Sequence, residues 1–288
     1  MEKMFDLSII IVNYNGSKFI ENCLNSIYKV THEINFEIIL VDNNSTDNSI
    51  EIVKTKFPGA TIIKNPRNLG FCKANNLGLK IYRGRYAMLL NTDTITQDGA
   101  FDQMVDFMDR NNDAGACAPK LLNPDNSPQH QGGFFAQRFW LSDKPVKVNF
   151  AVGACLLVRR KVIDKIGGLD ENFFFGNDDL DWCLRIRKAG WNIYYLPQAE
   201  VIHYGGFTTK RFNPGLYVEG FRGGLYFAKK HYGKLAYQIY RSILVIFISL
   251  LIIISIPFYP FLKNKPRLGA YWEILKVCFK GQILPTYG

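Results

Sequence analysis

Carboxylates and amides directly follow short apolar runs at several points in this 288-residue chain. Asp42 follows one such run, and Asp93 stands in the segment Asn91–Thr94 after another. Asp93 offers the oxygen ligand that a hard divalent cation prefers, and such a cation would allow two phosphates to gather there. A turn-forming aspartate is the commoner explanation of an isolated N-x-D, so this segment alone leaves the question open.

The densest acidic feature opens a predicted helix, where Asp178, Asp179 and Asp181 stand close together. Carboxylates in the first turn suit the positive end of the helix dipole, so helix capping explains part of this cluster. Crowded carboxylates also have raised proton affinities, which suits a general base, and the preceding Phe173–Gly176 is apolar enough to line a pocket. We expect Asp181 to pair with Arg185 one helical turn on, in a structural role.

Alternating strands and helices would position these groups. Apolar runs that are expected to be buried on both faces predict the strands Leu7–Val12, Ile38–Val41, Thr61–Ile63 and Ala87–Leu90. Helical spacing of apolar residues predicts helices between them, so the first half is predicted to be a doubly wound, parallel α/β sheet. Because the carboxyl ends of parallel strands meet at one edge, Asp42 and Asp93 would share one crevice, where helix N-termini offer amides to phosphate.

Side chains around that crevice are suited to a nucleotide. Asp42 is the candidate acceptor for a base or ribose, and Tyr14, beside Asn13, is the candidate to pack on the base. Capping of the following helix by Asn43 and its neighbours is an equally good explanation of this segment alone.

Two further segments offer polar contacts. The glycine turn Asn68–Gly78 lacks the spacing of both the Rossmann dinucleotide motif and the P-loop, so its amides and Asn76 are assigned to a ribose or phosphate instead. His203 follows another strand and precedes a glycine pair. It is the histidine best placed to be a ligand or phosphate contact, although a lone histidine is more often structural.

The second half of the chain is less regular. The pattern predicts a strand over Phe150–Val158, a helix over about 179–189, a strand over Trp191–Leu196, and a loop over Phe134–Asn149 that could cover a site. Such an order suits a sheet extended by a mixed, acceptor-side region.

An apolar tail follows. Ser242–Leu262 is a run of 21 residues without a charge, with basic residues on both flanks. This length suits a membrane span, but Pro257 and the basic flanks leave a re-entrant or interfacial helix open. A buried helix of a soluble domain is the remaining alternative.

Composition narrows the class of protein. The formal net charge of +10 and pI near 9.2 favour anionic partners, whether nucleic acid, phosphorylated ligands or acidic lipids. Nucleic acid is the weakest of these, because the basic residues gather around the apolar tail and form no stripe interleaved with aromatics.

Six scattered cysteines without a Cys-x-x-Cys pair predict reduced, buried thiols. The N-terminal apolar run is far too short for a signal peptide, so we expect a domain that is not exported.

Taken together and in this order, these segments resemble the family 2 glycosyltransferases, an inverting group with the GT-A fold, and especially the bacterial rhamnosyltransferase-like branch. The resemblance covers about Leu7–Tyr232. It is carried by Val12–Asn15, Val41–Asp47, Asn68–Gly78, Gly168–Glu171 and Asp178–Asp181.

The resemblance implies roles for individual residues. Asp179 would be the catalytic base, and Asp93, with His203 nearby, would hold Mg²⁺ or Mn²⁺ at the donor diphosphate. Asn91 stands where the family's D-x-D motif has its first aspartate, and Asp178 stands where the family has a glutamate. Contacts to the nucleotide sugar are predicted for Asn13, Tyr14, Asp42, Asn43, Asn68, Gly70, Asn76 and Asn91, and acceptor-side contacts for Phe175 and Trp182.

We therefore predict an inverting glycosyltransferase of bacterial cell-surface polysaccharide biosynthesis. By resemblance, rhamnose is the favoured sugar, a dTDP- or UDP-linked sugar the donor, and a glycan or lipid-linked molecule the acceptor. The predicted catalytic domain is 1–233, with a nucleotide-binding half to about 110 and an acceptor-side half over 111–233. The tail, 234–288, would hold it at the cytoplasmic face of the membrane through 242–262, as a peripheral or single-pass protein.

Two alternatives compete with this prediction. A sugar-nucleotide pyrophosphorylase would need a glycine- and arginine-rich phosphate loop near the N-terminus, which Val12–Gly16 matches poorly. A catalytically silent scaffold subunit would be expected to lack Asp93 or Asp179, and the chain has both.

Overall fold

The structure, a computed structural model, describes residues 4–131, 138–205, 213–255 and 265–284. The described strands are β1 (Leu7–Asn13), β2 (Phe36–Asp42), β3 (Thr61–Lys64), β4 (Tyr86–Asn91), β5 (Thr94–Thr96), β6 (Ala114–Leu122), β7 (Val146–Val148), β8 (Cys155–Arg159) and β9 (Asn192–His203). The described helices are α1 (Ile20–Val30), α2 (Ser49–Lys56), α3 (Phe71–Leu79), α4 (Ala100–Arg110), α5 (Arg160–Ile166), α6 (Asp178–Lys188), α7 (Pro214–Ser255) and α8 (Lys265–Lys280).

All these strands belong to one sheet with the order β3-β2-β1-β4-β8-β6-β9-β5, and β7 pairs with β9. The first four strands are parallel to one another, with helices between them, which confirms the predicted doubly wound α/β arrangement. Beyond β4 the sheet is mixed, because β8 runs antiparallel to both β4 and β6, while β9 runs parallel to β6. The predicted mixed region therefore begins at β8.

The core lies against the central strands. β1, β2 and β4 are buried over almost their whole length, and valine, isoleucine and leucine are prominent among their side chains. The prediction that Thr61–Ile63 would be buried on both faces is wrong, because β3 ends the sheet and its outer residues are exposed. All six cysteines are buried and form no disulfide, as predicted, and burial raises the pKa of the Cys23 thiol to about 12.

Strand bounds in the second half differ from those predicted. The strand predicted from Phe150 begins only at Cys155, where pairing with β4 starts. The strand predicted to end at Leu196 continues to His203, because its second part pairs with β5 as well as with β6. The loop predicted over Phe134–Asn149 contains one 3-10 turn, Phe139–Leu141, and β7, while 132–137 lie outside the described residues.

Contacts divide the chain into two compact units. The first comprises residues up to 169 together with 179–205, and the second comprises 170–178 and the described residues after 205. The predicted boundary at 233 lies inside α7, where Gly233 has φ 83° and interrupts the helix.

The second unit contains α7 and α8. Helix α7 is long and apolar enough to cross a membrane, although it carries only the first part of the predicted run 242–262. Pro257 and the rest of that run lie outside the described residues.

Candidate active site

The carboxyl ends of β1, β2 and β4 lie side by side at one edge of the sheet. Register places Asn13 opposite Asp42 and Val12 opposite Asn91, so the three strands end at the same level. Asn13 and Asp42 are buried. The crevice predicted from the sequence therefore has the expected polar edge.

Asn13 holds this edge together. Its Nδ2 donates to Asp42 Oδ1 (3.3 Å), Ser45 Oγ (3.0 Å) and Ser49 Oγ (2.8 Å), and so orients the Asp42 carboxylate. A Cβ at Gly16 would collide with Asn13 Oδ1, which explains the glycine at the end of this turn. Tyr14, by contrast, is 45% exposed and is available to a ligand.

Asn43 and Asn68 brace the neighbouring glycine turn. Asn43 Nδ2 donates to Asn68 Oδ1 (2.8 Å) and to the Gly70 carbonyl oxygen (3.2 Å), while its Oδ1 accepts from the Leu69 amide (2.9 Å). Gly70 has φ 81°, and its N–H donates to Asn68 Oδ1. These bonds fix the backbone that leads into α3, so the two side chains shape the turn.

Pairing of β5 with β9 brings Asp93 and His203 together. Thr94 lies opposite His203, and the Tyr204 amide donates to the Asp93 carbonyl oxygen at 2.9 Å. As a result, Asp93 Oδ1 lies 3.4 Å from His203 Nε2, with both side chains about one-eighth exposed. Asn91 Nδ2 lies 3.4 Å from the same ring nitrogen, although Asn91 and His203 are 112 residues apart in sequence.

Gln129, which no sequence pattern indicated, fixes the tautomer of His203. Its Nε2 donates to the His203 carbonyl oxygen (3.0 Å) and to Asn123 Oδ1 (3.2 Å), and these two acceptors set the orientation of the amide. Gln129 Oε1 then lies 2.8 Å from His203 Nδ1 and accepts from it. In the neutral ring Nδ1 is the protonated nitrogen, and Nε2 presents a lone pair toward Asp93.

This arrangement fits a divalent cation. A carboxylate oxygen and an unprotonated imidazole nitrogen that face each other at 3.4 Å need a cation or a proton between them. Among the described residues, no three or more His, Cys, Asp or Glu side chains converge, so Asp93 and His203 form a ligand set of two within that part of the chain. Mg²⁺ is usually held by one or two carboxylates plus substrate phosphates, which matches so sparse a ligand set.

Asp179 lies close to the same edge of the sheet. The Gly153 N–H donates to Asp179 Oδ2 at 3.4 Å, and the neighbouring Ala154 carbonyl accepts from the Asn91 N–H at 2.9 Å. Burial raises the pKa of the Asp179 carboxyl above its ordinary value, although N–H donors from Leu180 and Gly153 oppose the shift. A carboxylate with raised proton affinity is suited to general-base catalysis.

The sequence of the first unit identifies the family. Residues 8–167, more than half of the chain, match the sequence profile described as Glycosyl transferase family 2. The chain belongs to glycosyl transferase family 2. It is therefore an enzyme of the transferase class, as the resemblance implied.

Individual relatives agree with this assignment. N-acetylglucosaminyl-diphospho-decaprenol L-rhamnosyltransferase from Mycobacterium tuberculosis is 28% identical over 242 residues, which cover 71% of this chain and 78% of the relative. The mannosyltransferase PcManGT from Pyrobaculum calidifontis, solved with GDP-Man and Mn²⁺, has a TM-score of 0.62 at 13% identity and covers 98% of this chain and 88% of that one. GalNAc-T7, solved with UDP, GalNAc and Mn²⁺, has a TM-score of 0.56 at 16% identity, and the match covers 69% of this chain and 43% of that one. The two solved structures show that the fold is shared.

Other predicted residues of this family 2 glycosyltransferase have supporting contacts. Asn76 Nδ2 donates to the Leu169 carbonyl oxygen, and its Oδ1 accepts from the Leu169 amide, both at 2.9 Å. Trp182 is fully buried, and its Nε1 donates to the Gly167 carbonyl oxygen. Both side chains bind backbone groups of the loop after α5, so in this structure they fix the position of that loop.

The boundary between the two units falls between the first two residues of α6. Asp178 and Phe175 belong to the second unit, and Asp179 belongs to the first. Asp178 is buried, whereas Phe175 is 38% exposed. Asp181 pairs with Arg185 at 2.8 Å, as predicted, and Arg185 also donates to the carbonyl oxygens of Ile166 and Gly168. Asp181 is thus committed to holding α6 in place.

Proposed function

We propose that this family 2 glycosyltransferase transfers a sugar from a nucleotide-diphosphate donor with inversion of configuration, and that Asp179 is its catalytic base. The observation that carries the proposal is the chain of contacts from Asp179 through Gly153 and Ala154 to Asn91, beside the Asp93–His203 pair. Asp179 and the Asp93–His203 pair therefore lie at the same edge of the sheet. A base there can take up the acceptor proton, and a cation can stabilise the leaving diphosphate during direct displacement at a sugar carbon.

Asp179 accepts the proton of the acceptor hydroxyl while that oxygen attacks the anomeric carbon from the face opposite the nucleotide. The bond between the anomeric carbon and the diphosphate oxygen breaks, and the nucleotide diphosphate leaves with the electron pair. The configuration at the anomeric carbon inverts, and no covalent enzyme intermediate forms. Assistance by a positioned base contributes about 10²–10⁴-fold in rate.

Asp93 and His203 would hold Mg²⁺ or Mn²⁺ at the donor diphosphate, as their facing oxygen and nitrogen suggest. When bound, the cation neutralises charge that builds up on the departing diphosphate. Gln129 holds the ring through Nδ1 and so leaves Nε2 facing Asp93, and Asn91 Nδ2 lies 3.4 Å from the same nitrogen. Asp42, oriented by Asn13, is proposed to accept a hydrogen bond from the base or ribose, beside the accessible Tyr14.

The name of one relative supports a choice of donor and acceptor. The mycobacterial relative is named N-acetylglucosaminyl-diphospho-decaprenol L-rhamnosyltransferase, and we propose rhamnose, linked to dTDP or UDP, as the donor sugar. We also propose a lipid-linked or glycan acceptor in cell-surface polysaccharide synthesis, and the decaprenol in that name supports the lipid-linked form. Such an acceptor would place the enzyme at the cytoplasmic face of the membrane.

The test is a panel of nucleotide sugars, assayed for binding and donor hydrolysis with Mg²⁺ or Mn²⁺. The wild type is compared with Asp93→Ala and Asp179→Asn, and with Asp106→Ala as the matched control. Asp106 is an exposed carboxylate on α4 whose partner is Arg110. The control variant is expected to behave as wild type.

We expect one donor to bind in a cation-dependent way that requires Asp93, and we expect Asp179→Asn to bind that donor but not to turn it over. Full turnover by Asp179→Asn would overturn its role as base. If no nucleotide sugar binds with any cation, the transferase proposal fails and a catalytically silent scaffold takes its place.

A further inference from the structure

The described helices of the second unit fold back on one another. Gly233 breaks α7 into a first arm, 214–232, and a second arm, 234–255. A Cβ at Gly224 would lie 2.8 Å from the Tyr240 hydroxyl, so the two arms lie side by side. Helix α8 packs on the first arm through Tyr217 and Tyr271, whose ring centroids are 6.3 Å apart.

The second arm and α8 run antiparallel. The Tyr237 hydroxyl would lie 3.9 Å from a Cβ at Gly281, and burial, with a further contribution from the neighbouring Cys278, raises the pKa of Tyr240. As residue numbers rise along the arm, those of its α8 neighbours fall. The same pairing, continued along the two helices, places the exposed ion pair of Glu273 with Lys276 on α8 (2.7 Å) level with residues 242–245 of the arm.

This packing places charge beside the apolar run. The second arm alone is long enough for the hydrocarbon core, about 33 Å at 1.5 Å per residue against roughly 30 Å. A full crossing, however, would carry the Glu273–Lys276 pair of its neighbour into hydrocarbon. Intramembrane charges are rare and costly unless they face a bundle interior or a water-filled cavity, and this pair is more than half exposed.

An apolar stripe runs along the outer side of the second arm, where Leu235, Ile239, Ile243, Ile246, Leu250 and Ile253 are 52–75% exposed at spacings of three or four residues. The opposite side, with Leu244, Ile248 and Ile252, is buried in one apolar cluster with residues of the first arm and of α8. Only 17% of the most apolar 18-residue stretch of α7 is buried. A stripe of this length without a partner among the described residues needs an apolar surface to cover it.

We infer that this stripe lies flat on one leaflet of an anionic bilayer, so that the described helices of the second unit bind at the membrane interface without crossing it. Lysines and arginines far outnumber acidic residues in α7 and α8, which matches acidic headgroups in charge. Trp272 on α8 is 52% exposed, as expected of an aromatic side chain at the headgroup level. The inference rests on the second unit alone and does not depend on the proposed reaction.

The test measures the depth of three positions along the stripe. Full-length Ile239→Cys, Ile246→Cys and Ile253→Cys variants are labelled with the fluorophore NBD at exposed sites, while the six native thiols are buried and react slowly. The labelled proteins are mixed with phosphatidylcholine vesicles with or without phosphatidylglycerol. The lipids carry bromine at shallow or deep acyl positions to quench the label.

A stripe that lies along the membrane gives the same quenching depth at all three positions. Removal of phosphatidylglycerol is expected to weaken binding by about tenfold or more, because each basic residue near an anionic surface contributes. A depth gradient between 239 and 253, which are about 21 Å apart along the helix, indicates a crossing and overturns the inference. Unquenched labels on a chain that sediments as a dimer overturn it too, since a second copy then covers the stripe.

Paired variants separate the stripe from general apolar exposure. Ile246→Asn with Leu250→Asn is expected to reduce vesicle flotation strongly, whereas Ile81→Asn, at an exposed apolar position of the first unit, leaves it unchanged. Donor hydrolysis is measured in the same preparations. If the wild type floats with vesicles but hydrolyses no donor, the result counts against the proposed reaction alone. If the wild type hydrolyses a donor but does not float, the result counts against this inference alone.

Discussion

Gln129→Leu tests whether a single amide sets up the cation site. The leucine removes the acceptor that lies 2.8 Å from His203 Nδ1 and the donor to the His203 carbonyl oxygen. One buried hydrogen bond contributes about 0.5–1.5 kcal/mol, which biases the ring tautomer by about 2- to 13-fold. Loss of ring orientation adds to this, and such outer partners typically account for about 10–100-fold in metal affinity. We therefore expect the Kd for Mn²⁺ to rise about tenfold or more.

The assay is Mn²⁺ titration followed by electron paramagnetic resonance, with Mn²⁺ alone and with Mn²⁺ plus UDP. Gln129→Glu keeps an acceptor oxygen at this position and should bind Mn²⁺ far better than Gln129→Leu. Gln103→Leu, the same change at an exposed position of α4, is the control.

A readout without metal comes from ¹⁵N-histidine NMR, which is tractable because the chain has four histidines. The wild type should show His203 protonated at Nδ1. If it is protonated at Nε2 instead, or if Gln129→Leu binds Mn²⁺ as tightly as wild type, the reasoning is refuted.

Four further outcomes are expected from the described contacts. Asp179→Asn should raise the Tm at neutral pH, because a raised pKa means that folding disfavours the ionised carboxylate; the gain should vanish as pH falls below the ordinary aspartate pKa, where both states are protonated. For the same reason, the wild-type kcat/KM should increase with pH, and the apparent pKa of that increase in a pH–rate profile should lie above the ordinary aspartate pKa. Asn13→Leu should raise the donor KM about tenfold with a smaller effect on kcat, because Asp42 loses its orienting donor. Glu219→Leu should destabilise the second unit by about 3 kcal/mol in urea unfolding, because it leaves Arg222 buried without its carboxylate partner.

The nucleotide-binding half could be predicted because its signals are local. Each strand there is a continuous apolar run that ends in a polar residue, and parallel register brings Asn13 and Asp42 to one edge. β3 was the exception, since an apolar run does not reveal that its strand ends a sheet. The extension of β9 to His203 was missed for a related reason, because it depends on pairing with β5 and not on the pattern of β9 itself.

The same limit applies to the cation site. Asp93 and His203 were each singled out, but their closeness depends on a pairing of strands that are far apart in sequence. Gln129 has no signal of its own, because a glutamine after a strand is an ordinary surface residue until its partners are known. Only the structure shows that its two donated bonds leave Oε1 for the histidine.

Asn91 can now be interpreted beside Gln129. An aspartate at position 91 would offer acceptor oxygens and no N–H to the His203 ring. With asparagine there, an amide N–H lies 3.4 Å from Nε2, and Gln129 accepts the Nδ1 proton on the other side. Gln129 thus favours the tautomer with its proton on Nδ1, and Asn91 lies on the side of Nε2. The departure from D-x-D at Asn91 is physically consistent with a site in which His203, and not a second aspartate, completes the protein's share of the ligands.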